Sequence, residues 1–373
     1  MKNVVYLVET QVSEWDFFRE NLADFSLRCA GELRDIEADA KAVSVFIHSR
    51  VGADFLAAHP GVKLITTRST GYDQIDVAEC TRLGVTVCNV SSVDENTVAE
   101  HTFALMLAVA RRLQEVREAN KQPHFQYETL RAWDLRGKTL GVIGTGRVGL
   151  RVIHIGLAFG MKVLAYDPYS RSLMAELLGV RYVDLGDLLG SANVITLHAP
   201  LTPETHHLLD REAFARCQKG IIVINTARGG LIDTGALIEA LEKGIIVGAG
   251  LDVLEDESVM QKEATRLITD QIIDHVQGSA MPEEARIKHP QRIKELQSVI
   301  QNQRLLARPN VVFTPHVAFN SVEAVERINK VTVANIRAVF AGKPINVVSP
   351  VEGGEGVHAF EDSRELTDVS CGA

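Results

Sequence analysis

The feature that most constrains the fold is a glycine-rich turn near the middle of the chain. Residues 135–169 read LRGKTLGVIGTGRVGLRVIHIGLAFGMKVLAYDPY. The apolar run Leu140–Ile143 ends at Gly144, and an amphipathic stretch follows Gly149, so the segment predicts a strand, a turn, a helix and a second strand. Glycine permits a tight turn and lets the backbone approach a bound group or another element closely. The segment therefore predicts a βαβ unit.

The same segment has the pattern of a dinucleotide site. Gly144, Gly146 and Gly149 have the GxGxxG spacing, and Asp167 follows 18 residues after Gly149. The helix N-terminus offers unpaired amides and a partial positive charge to phosphates, and a carboxylate after the second strand can accept hydrogen bonds from both ribose hydroxyls. An acid at this place repels a 2′-phosphate, so the pattern favours NAD over NADP. The alternative is a structural βαβ unit without a cofactor, since glycine turns are common.

Composition limits the class of protein. The chain has 373 residues, 46% of them hydrophobic, which is enough for two domains with buried cores. The net charge of −9 gives no electrostatic reason to bind nucleic acid or an anionic membrane surface, so neither partner is expected. The five cysteines form no CxxC pair and no Cys/His cluster with metal-ligand spacing, which indicates reduced thiols, a cytoplasmic protein and no metal. No run approaches the length of a membrane span, and the start has no cleavage site, so export is not expected.

Short β-branched runs alternate with helical or turn-rich stretches, as in parallel α/β sheets. The first domain is predicted to have strands at 4–8, 43–47, 62–66 and 85–89. After the glycine turn, one parallel sheet is predicted to continue through strands at 162–166, 194–197, 221–225, 247–251 and 311–314. A helix from Asn96 to about Glu118 has apolar residues on more than one side and should be buried, and a second is predicted over Ser321 to Ala341.

Two segments differ from this alternation. Residues 258–308 are charged and Gln-rich, with apolar positions at helical spacing on both sides of Pro282, and they predict a helical hairpin inserted before the last strand. The charged face of this insert is either solvated or takes part in subunit contact or in covering the site. The Gly-rich, acidic residues 349–373 are expected to be disordered.

Three polar residues directly follow predicted strands, where ligands collect in open α/β sheets. They are Arg228 in INTARGGLID, Glu257 in LDVLEDE and His316 in VVFTPHVAF. Together they suit hydride transfer between a nicotinamide and a carbon that bears oxygen. His316 would be the acid/base, Glu257 would orient its ring, and Arg228 would grip a substrate carboxylate and the reacting oxygen. Each also has a structural interpretation, as a capped histidine, a solvated acid or an ion-paired arginine.

Four motifs together resemble one family. DLRGKTLGVIGTGRVG, INTARGGLID, GAGLDVLEDE and TPHVAF occur in the order found in D-isomer-specific 2-hydroxyacid dehydrogenases, and the similarity covers about residues 40–345. The resemblance implies two Rossmann-like, doubly wound parallel-sheet α/β domains separated by a cleft. The substrate-binding domain would comprise residues 1–95 and 318–348, and the NAD-binding domain residues 96–317.

The resemblance also implies roles for individual residues. It places the family's catalytic residues on Arg228, Glu257 and His316; Glu257 is chosen over Glu255 because the family has the same separation of 29 positions between arginine and glutamate. It assigns the substrate carboxylate to the backbone amides of a loop formed by Ser69, Thr70 and Gly71. It assigns the pyrophosphate to the glycine turn with Arg147 and Val148, the adenosine ribose to Asp167, the adenosine to Ala199 and Pro200, and the nicotinamide end to Thr226, Ala227, Arg228 and Asp252. None of His101, His198, His206 and His207 has a role in the chemistry on this mapping, and these four are interpreted as structural.

The activity implied is NAD-dependent interconversion of a D-2-hydroxy acid and a 2-oxo acid by a homodimer. LEDE, the enlarged segment before TPH and the AF pair after His316 are more similar to the D-lactate dehydrogenase branch than to the phosphoglycerate branch. A glyoxylate, hydroxypyruvate or phosphoglycerate type of reductase is the alternative within the family. The same fold also serves NAD-sensing corepressor proteins, and the intact set of Arg228, Glu257 and His316 favours an enzyme over that class.

Overall fold

The computed structural model describes residues 2–90, 95–120, 130–169, 177–257 and 290–349. The chain divides into two compact units. Unit 1 comprises Met1–Val90 and Val331–Ala373, and unit 2 comprises Ser91–Lys330. Each unit is built on one all-parallel sheet, so the prediction of two Rossmann-like α/β units is confirmed.

Unit 1 has a five-stranded sheet in the order β2-β1-β3-β4-β5. Its strands are β1 (Val4–Val8), β2 (Ser26–Ala30), β3 (Ala42–Val45), β4 (Leu64–Thr67) and β5 (Thr86–Cys88). Its described helices include α1 (Val12–Asn21), α2 (Ala53–Ala58) and α3 (Val77–Arg82). Sequence reasoning missed β2, because this edge strand buries only Ala30 and so has no continuous apolar run.

The strands of unit 1 bury both of their faces. In β1, Val5 and Leu7 pack in one core cluster with Phe18, whereas Tyr6 and Val8 point into the cluster on the opposite face. A central parallel strand covered on both sides reads as an uninterrupted apolar run, which is why β1 could be recognised in the sequence at its observed bounds.

Unit 2 has a seven-stranded sheet in the order β12-β11-β10-β9-β6-β7-β8. Its strands are β6 (Thr139–Ile143), β7 (Lys162–Tyr166), β8 (Arg181–Tyr182), β9 (Val194–Leu197), β10 (Ile221–Asn225), β11 (Ile246–Leu251) and β12 (Val311–Phe313). Its helices include α4 (Glu95–Ala110), α5 (Leu113–Ala119), α6 (Arg147–Ala158), α7 (Leu185–Ser191), α8 (Arg211–Arg216), α9 (Thr234–Glu242) and α10 (Pro290–Leu306). The last described helix of the chain is α11 (Val322–Phe340).

The helix predicted from Asn96 to Glu118 is two helices in the structure. Arg112 separates α4 from α5 and has a left-handed backbone, with φ of 52°. Its guanidinium pairs with Glu115 in the first turn of α5. The predicted burial is observed for α4, which packs on α6 and on β10, β11 and β12. A non-glycine residue in the left-handed region has no strong sequence signal, so the break was not predicted.

The insert predicted at 258–308 is described only in its second half. There α10 packs on α9 and buries Val299 and Asn302 completely. The first predicted helix of the hairpin and Pro282 lie outside the described residues, as does the predicted disordered tail apart from Ser349. No helix of the described ranges combines the length and the hydropathy needed to cross a membrane.

Candidate active site

The carboxyl ends of six neighbouring strands in unit 2 form one row in register. Across β7, β6, β9, β10, β11 and β12 the paired terminal residues are Tyr166, Ile143, Leu197, Asn225, Leu251 and Phe313. The next residue of each strand therefore lies on the same edge: Asp167, Gly144, His198, Thr226, Asp252 and Thr314. From β6 the chain adds β7 and β8 on one side of the sheet, and it then adds β9 to β12 on the other side. The strand order thus reverses between β6 and β9, and open α/β sheets bind ligands at such a switch point.

The glycine turn between β6 and α6 fits a dinucleotide. Gly144 has φ of 90°, and a Cβ there would lie 2.7 Å from the backbone of His198 and Ala199. A Cβ on Gly149 would lie 2.1 Å from the carbonyl oxygen of Gly144, so only glycine lets α6 start this close to the turn. A Cβ on Gly146 would meet nothing within 4 Å, which leaves the N-terminus of α6 open to an anion.

Asp167 ends β7 beside this turn. Its Oδ2 accepts hydrogen bonds from the backbone N–H and the hydroxyl of Thr145, at 2.8 and 2.9 Å, and its Oδ1 accepts from the N–H of Tyr169 at 2.9 Å. These bonds hold the carboxylate at the edge of the sheet, and Oδ1, which accepts one of them, has a further lone pair for a ligand. The carboxylate therefore fits the part of a ribose acceptor.

Arg228 follows β10 in a turn that lies directly against the chain after β11. The side chain of Asn225 clamps the turn by donating to the Arg228 carbonyl at 2.8 Å and accepting from the Ala227 N–H at 3.0 Å. Gly229 is packed so closely on Leu254 that a Cβ would lie 2.0 Å from the Leu254 carbonyl. Glycine at this position thus allows the arginine turn and the acidic loop to approach each other.

His316 and Glu257 form a pair at this edge. The Nδ1 atom of His316 lies 3.3 Å from Oε2 of Glu257, and both side chains are largely buried. Glu255 has a different partner, because its Oε1 lies 2.7 Å from Nε2 of His207. The two glutamates therefore serve two different histidines, and the one beside His316 is Glu257.

Asp252 holds the backbone that presents His316. Its carbonyl accepts from the His316 N–H at 2.7 Å, and its carboxylate accepts from the N–H groups of Val317 and Ala318 at 3.0 and 2.9 Å. His316 itself has φ of 54°, a left-handed conformation that these bonds support. The side chain is fully buried, which raises the carboxyl pKa, but the hydrogen bonds outweigh burial and the pKa of Asp252 is lowered.

Three of the histidines interpreted as structural have polar partners. His101 Nε2 lies 2.9 Å from the Thr314 hydroxyl, which in turn donates to Asp252, so His101 belongs to the network behind His316. His198 Nε2 bonds the Thr196 hydroxyl at 2.9 Å, and burial lowers the pKa of His198 to about 3. His207 bonds Glu255, and the His206 ring packs against the His207 ring. Sequence reasoning did not find the role of His101 or Thr314, because they lie on α4 and after β12, 213 residues apart.

The remaining predicted cofactor residues lie around the same edge. Arg147 and Val148 begin α6, Pro200 is exposed after β9, and Ala227 precedes the arginine turn. Thr226 is buried, and its hydroxyl lies 2.9 Å from that of Thr102, which itself donates to the Val98 carbonyl. Thr226 thereby joins the end of β10 to α4.

The loop of Ser69, Thr70 and Gly71 follows β4 in unit 1. The hydroxyl of Ser69 donates to the Gly71 carbonyl at 2.6 Å, and that of Thr70 donates to the Val90 carbonyl at 2.9 Å. Both hydroxyls are thus used within the loop region. Arg68, directly before this loop, was not found by sequence reasoning. It is 2% exposed and fixes the start of the loop by donating to the carbonyls of Val8 and Glu9.

Comparisons with known proteins agree with this geometry. The family model of the D-isomer specific 2-hydroxyacid dehydrogenase NAD-binding domain matches residues 103–318. The crystal structure of D-lactate dehydrogenase from Aquifex aeolicus, complexed with NAD and lactic acid, is 36% identical and superposes with a TM-score of 0.75, covering 91% of this chain and 96% of that chain.

Two curated relatives are similar in sequence. D-lactate dehydrogenase of Escherichia coli is 41% identical over 220 residues, which are 58% of this chain and 66% of that protein. D-3-phosphoglycerate dehydrogenase of Methanocaldococcus jannaschii is 40% identical over 256 residues, 68% of this chain and 48% of that protein. The matched segment thus spans just under two thirds of one relative and about half of the other. Together with the family match, these similarities establish that the chain belongs to the D-isomer specific 2-hydroxyacid dehydrogenase family and that its second unit contains the NAD-binding domain of that family.

Proposed function

We propose that this protein is an NAD-dependent dehydrogenase that interconverts a D-2-hydroxy acid and the corresponding 2-oxo acid. The observation that carries the proposal is the pair of His316 and Glu257, 3.3 Å apart, on the same strand-end edge as the glycine turn and Asp167. An imidazole oriented by a carboxylate is suited to general acid/base catalysis near neutral pH.

His316 is the proton donor in the direction of reduction. Because its Nδ1 faces Glu257, its Nε2 remains for the oxygen of the substrate. Glu257 fixes the ring and favours its protonated form by its negative charge. Arg228 binds the substrate carboxylate and stabilises charge that develops on the reacting oxygen. The reduced nicotinamide, when bound, supplies the hydride to the 2-carbon.

The cofactor lies along the row of strand ends in this proposal. Asp167 binds the adenosine ribose, the glycine turn with Arg147 and Val148 binds the pyrophosphate, and Ala199 with Pro200 contacts the adenosine. Thr226, Ala227 and Arg228 lie at the nicotinamide end. We assign Asp252 a positioning role rather than a direct contact with NAD, because its side chain is fully buried and its carboxylate holds the His316 loop.

The substrate carboxylate is bound by the loop of Ser69, Thr70 and Gly71 through backbone amides, since both hydroxyls have partners within unit 1. We accordingly assign substrate binding to residues 1–95 with 318–348 and NAD binding to 96–317. D-lactate and pyruvate, or a close analogue, are the proposed substrates, because the similar proteins of E. coli and A. aeolicus are named D-lactate dehydrogenases. The similarity to a D-3-phosphoglycerate dehydrogenase keeps a phosphorylated 2-oxo acid as the second candidate.

The test is NADH oxidation by purified protein against a panel of 2-oxo acids. The panel contains pyruvate, phenylpyruvate, 2-oxobutyrate, glyoxylate, hydroxypyruvate and 3-phosphohydroxypyruvate. His316→Ala should lower kcat by about a thousand-fold, because a positioned acid typically contributes 10²–10⁴-fold. NADH binding, followed by fluorescence, should be retained in the variant. The matched control is His154→Ala, an exposed histidine on α6, which should keep full turnover.

Comparable turnover in wild type and His316→Ala would contradict the role of His316. NADH binding without turnover on any acid of the panel would contradict the dehydrogenase and favour a regulatory, NAD-sensing protein. Preference for 3-phosphohydroxypyruvate over pyruvate would replace the lactate proposal by the phosphoglycerate one.

We also propose that the protein is a cytoplasmic homodimer. Leu113 and Phe159 are 53% and 40% exposed beside α4, which supports an apolar contact with a second copy. The four described cysteines are free thiols, which supports a reducing compartment. Light scattering of the purified chain should give twice its mass of 40.9 kDa, and Leu113→Lys should shift the mass toward that of the monomer. A monomeric wild type would contradict the dimer.

A further inference from the structure

A second cluster of chemically active side chains lies outside the residues assigned to catalysis. His206 and His207 belong to the loop after β9, and Glu255 follows β11. One potential ligand atom from each lies within 4.8 Å of those of the other two, and among the described residues this is the one such group of three or more. The sequence does not show this cluster, because 48 residues separate His207 from Glu255.

The members of the cluster are held by other residues. The His207 N–H donates to the Gly230 carbonyl at 2.8 Å, and His207 has φ of 54°. The Thr234 hydroxyl donates to Oε2 of Glu255 at 3.3 Å, and the Asn302 amide donates to the Glu255 carbonyl at 2.8 Å. The Thr234 hydroxyl is an outer partner of the kind that orients a ligating carboxylate, and the two bonds to the backbone fix the loops that carry His207 and Glu255.

The ligand atoms lie close enough to reach a common ion after a small local movement. His207 Nε2 and Glu255 Oε1 are 2.7 Å apart, joined by a hydrogen bond. Two ligands of a tetrahedral zinc ion, each about 2.0–2.1 Å from the metal, lie about 3.3 Å from each other, so an opening of well under 1 Å would admit the ion. The His206 and His207 rings pack against each other, with centroids 3.9 Å apart and planes inclined by 30°, so the two imidazoles are neighbours within the cluster.

We propose that His206, His207 and Glu255 bind a divalent transition-metal ion of the zinc type. Two imidazoles and one carboxylate suit zinc, cobalt or nickel, whereas magnesium and calcium prefer oxygen ligands. His206 is exposed, so solvent supplies the remaining coordination position. The bound ion joins the loop of His206 and His207 to the acidic loop of Glu255, and it thereby stabilises unit 2.

The site is tested by binding measurements that do not depend on turnover. EDTA-treated full-length protein is titrated with Zn²⁺ in competition with a chromophoric chelator, and with Co²⁺ while its visible absorption is followed. Wild type should bind one ion that His206→Ala, His207→Ala and Glu255→Gln each lose, with the d–d absorption of bound Co²⁺ lost in parallel. Zn²⁺ should also raise the Tm of wild type by several degrees, and not that of His206→Ala, because a ligand that binds only the folded state stabilises it.

His206→Ala is the decisive variant, since the exposed His206 side chain can be removed with little risk to folding. The controls are His154→Ala and His316→Ala, both of which should retain the ion. Loss of the ion in His316→Ala but not in His206→Ala would place the metal at the other histidine–carboxylate pair and overturn the proposal. Absence of stoichiometric binding, or equal loss in His154→Ala, would overturn it as well. Because no measurement here uses turnover, failure of the metal site is distinguishable from failure of the proposed dehydrogenase.

Discussion

At the scale of single residues, two neighbouring glutamates have different partners, and only Glu257 belongs to the proposed catalytic pair. Glu257 lies beside His316, and Glu255 lies beside His207. The same residue type thus has different partners two positions apart, because the chain turns at Asp256, which has φ of 52°. A left-handed residue between them lets the two carboxylates point to different histidines.

Glu257→Gln should move the pH profile of 2-oxo acid reduction to lower pH. Reduction requires the protonated ring of His316, and the amide keeps a similar shape without the negative charge that favours that form. The quantity to follow is the displacement of the high-pH limb of the profile. It is measured as the pH at which kcat/KM for pyruvate falls to half of its maximum. Asp256→Asn removes the neighbouring exposed charge and should leave the profile in place; an equal shift in both variants would contradict the specific pairing.

At the scale of elements, the turn between β6 and α6 shows why one glycine is not equivalent to another. The missing Cβ of Gly149 makes room for the carbonyl of Gly144, whereas that of Gly146 faces open space. Gly149 is therefore required by the protein's own packing. Gly146 is required, in the proposed function, by the ligand.

Gly149→Ala and Gly146→Ala should accordingly separate stability from binding. Gly149→Ala should lower the free energy of unfolding by about 1–3 kcal/mol, because the new methyl overpacks the turn, and should weaken NADH binding as well. Gly146→Ala should leave unfolding nearly unchanged and still raise the Kd for NADH, because its methyl occupies the approach of the pyrophosphate. Urea unfolding and NADH fluorescence titration measure the two effects. Unchanged NADH binding in Gly146→Ala would place the pyrophosphate elsewhere.

At the scale of the whole molecule, two groups whose pKa is lowered in the folded state couple folding to pH. Burial lowers the pKa of His198 to about 3, whereas an exposed histidine titrates near 6.5. The folded state therefore favours neutral His198, and the stabilisation is present above pH 6.5 and lost as the pH falls from 6.5 toward 3. The lowered pKa of Asp252 acts in the same direction at more acidic pH, below the ordinary aspartate value of 3.8.

His198→Asn should make the free energy of unfolding less dependent on pH between about 6.5 and 4. One titrating proton contributes a slope of at most about 1.4 kcal/mol per pH unit in that window, and the variant should lose this contribution. Urea unfolding at a series of pH values measures the slope. His154→Asn, which changes an exposed histidine, should keep the slope of the wild type. An unchanged slope in His198→Asn would show that the ring is not neutral in the folded protein at low pH.

The sequence by itself determined the local elements and the motifs that lie within them. The bounds of β1, β7, β9 and β10 agree with the predicted runs. The strands β1, β9 and β10 stand out from their surroundings because they are apolar and buried on both faces. The glycine turn could also be recognised, since the glycines that it requires all lie within the short segment 144–149. Edge strand β2 and the left-handed break at Arg112 were missed, because neither has a continuous pattern.

Only the tertiary structure decided which of these motifs meet. The register of the seven-stranded sheet places Asp167, Gly144, Thr226 and Asp252 along one edge in an order that differs from their order in the chain. The same pairing brings Glu257 to His316 and Glu255 to His207, contacts that span 59 and 48 residues. Local patterns record backbone preference and burial, whereas proximity between distant residues arises from strand order, and strand order is a property of the folded sheet.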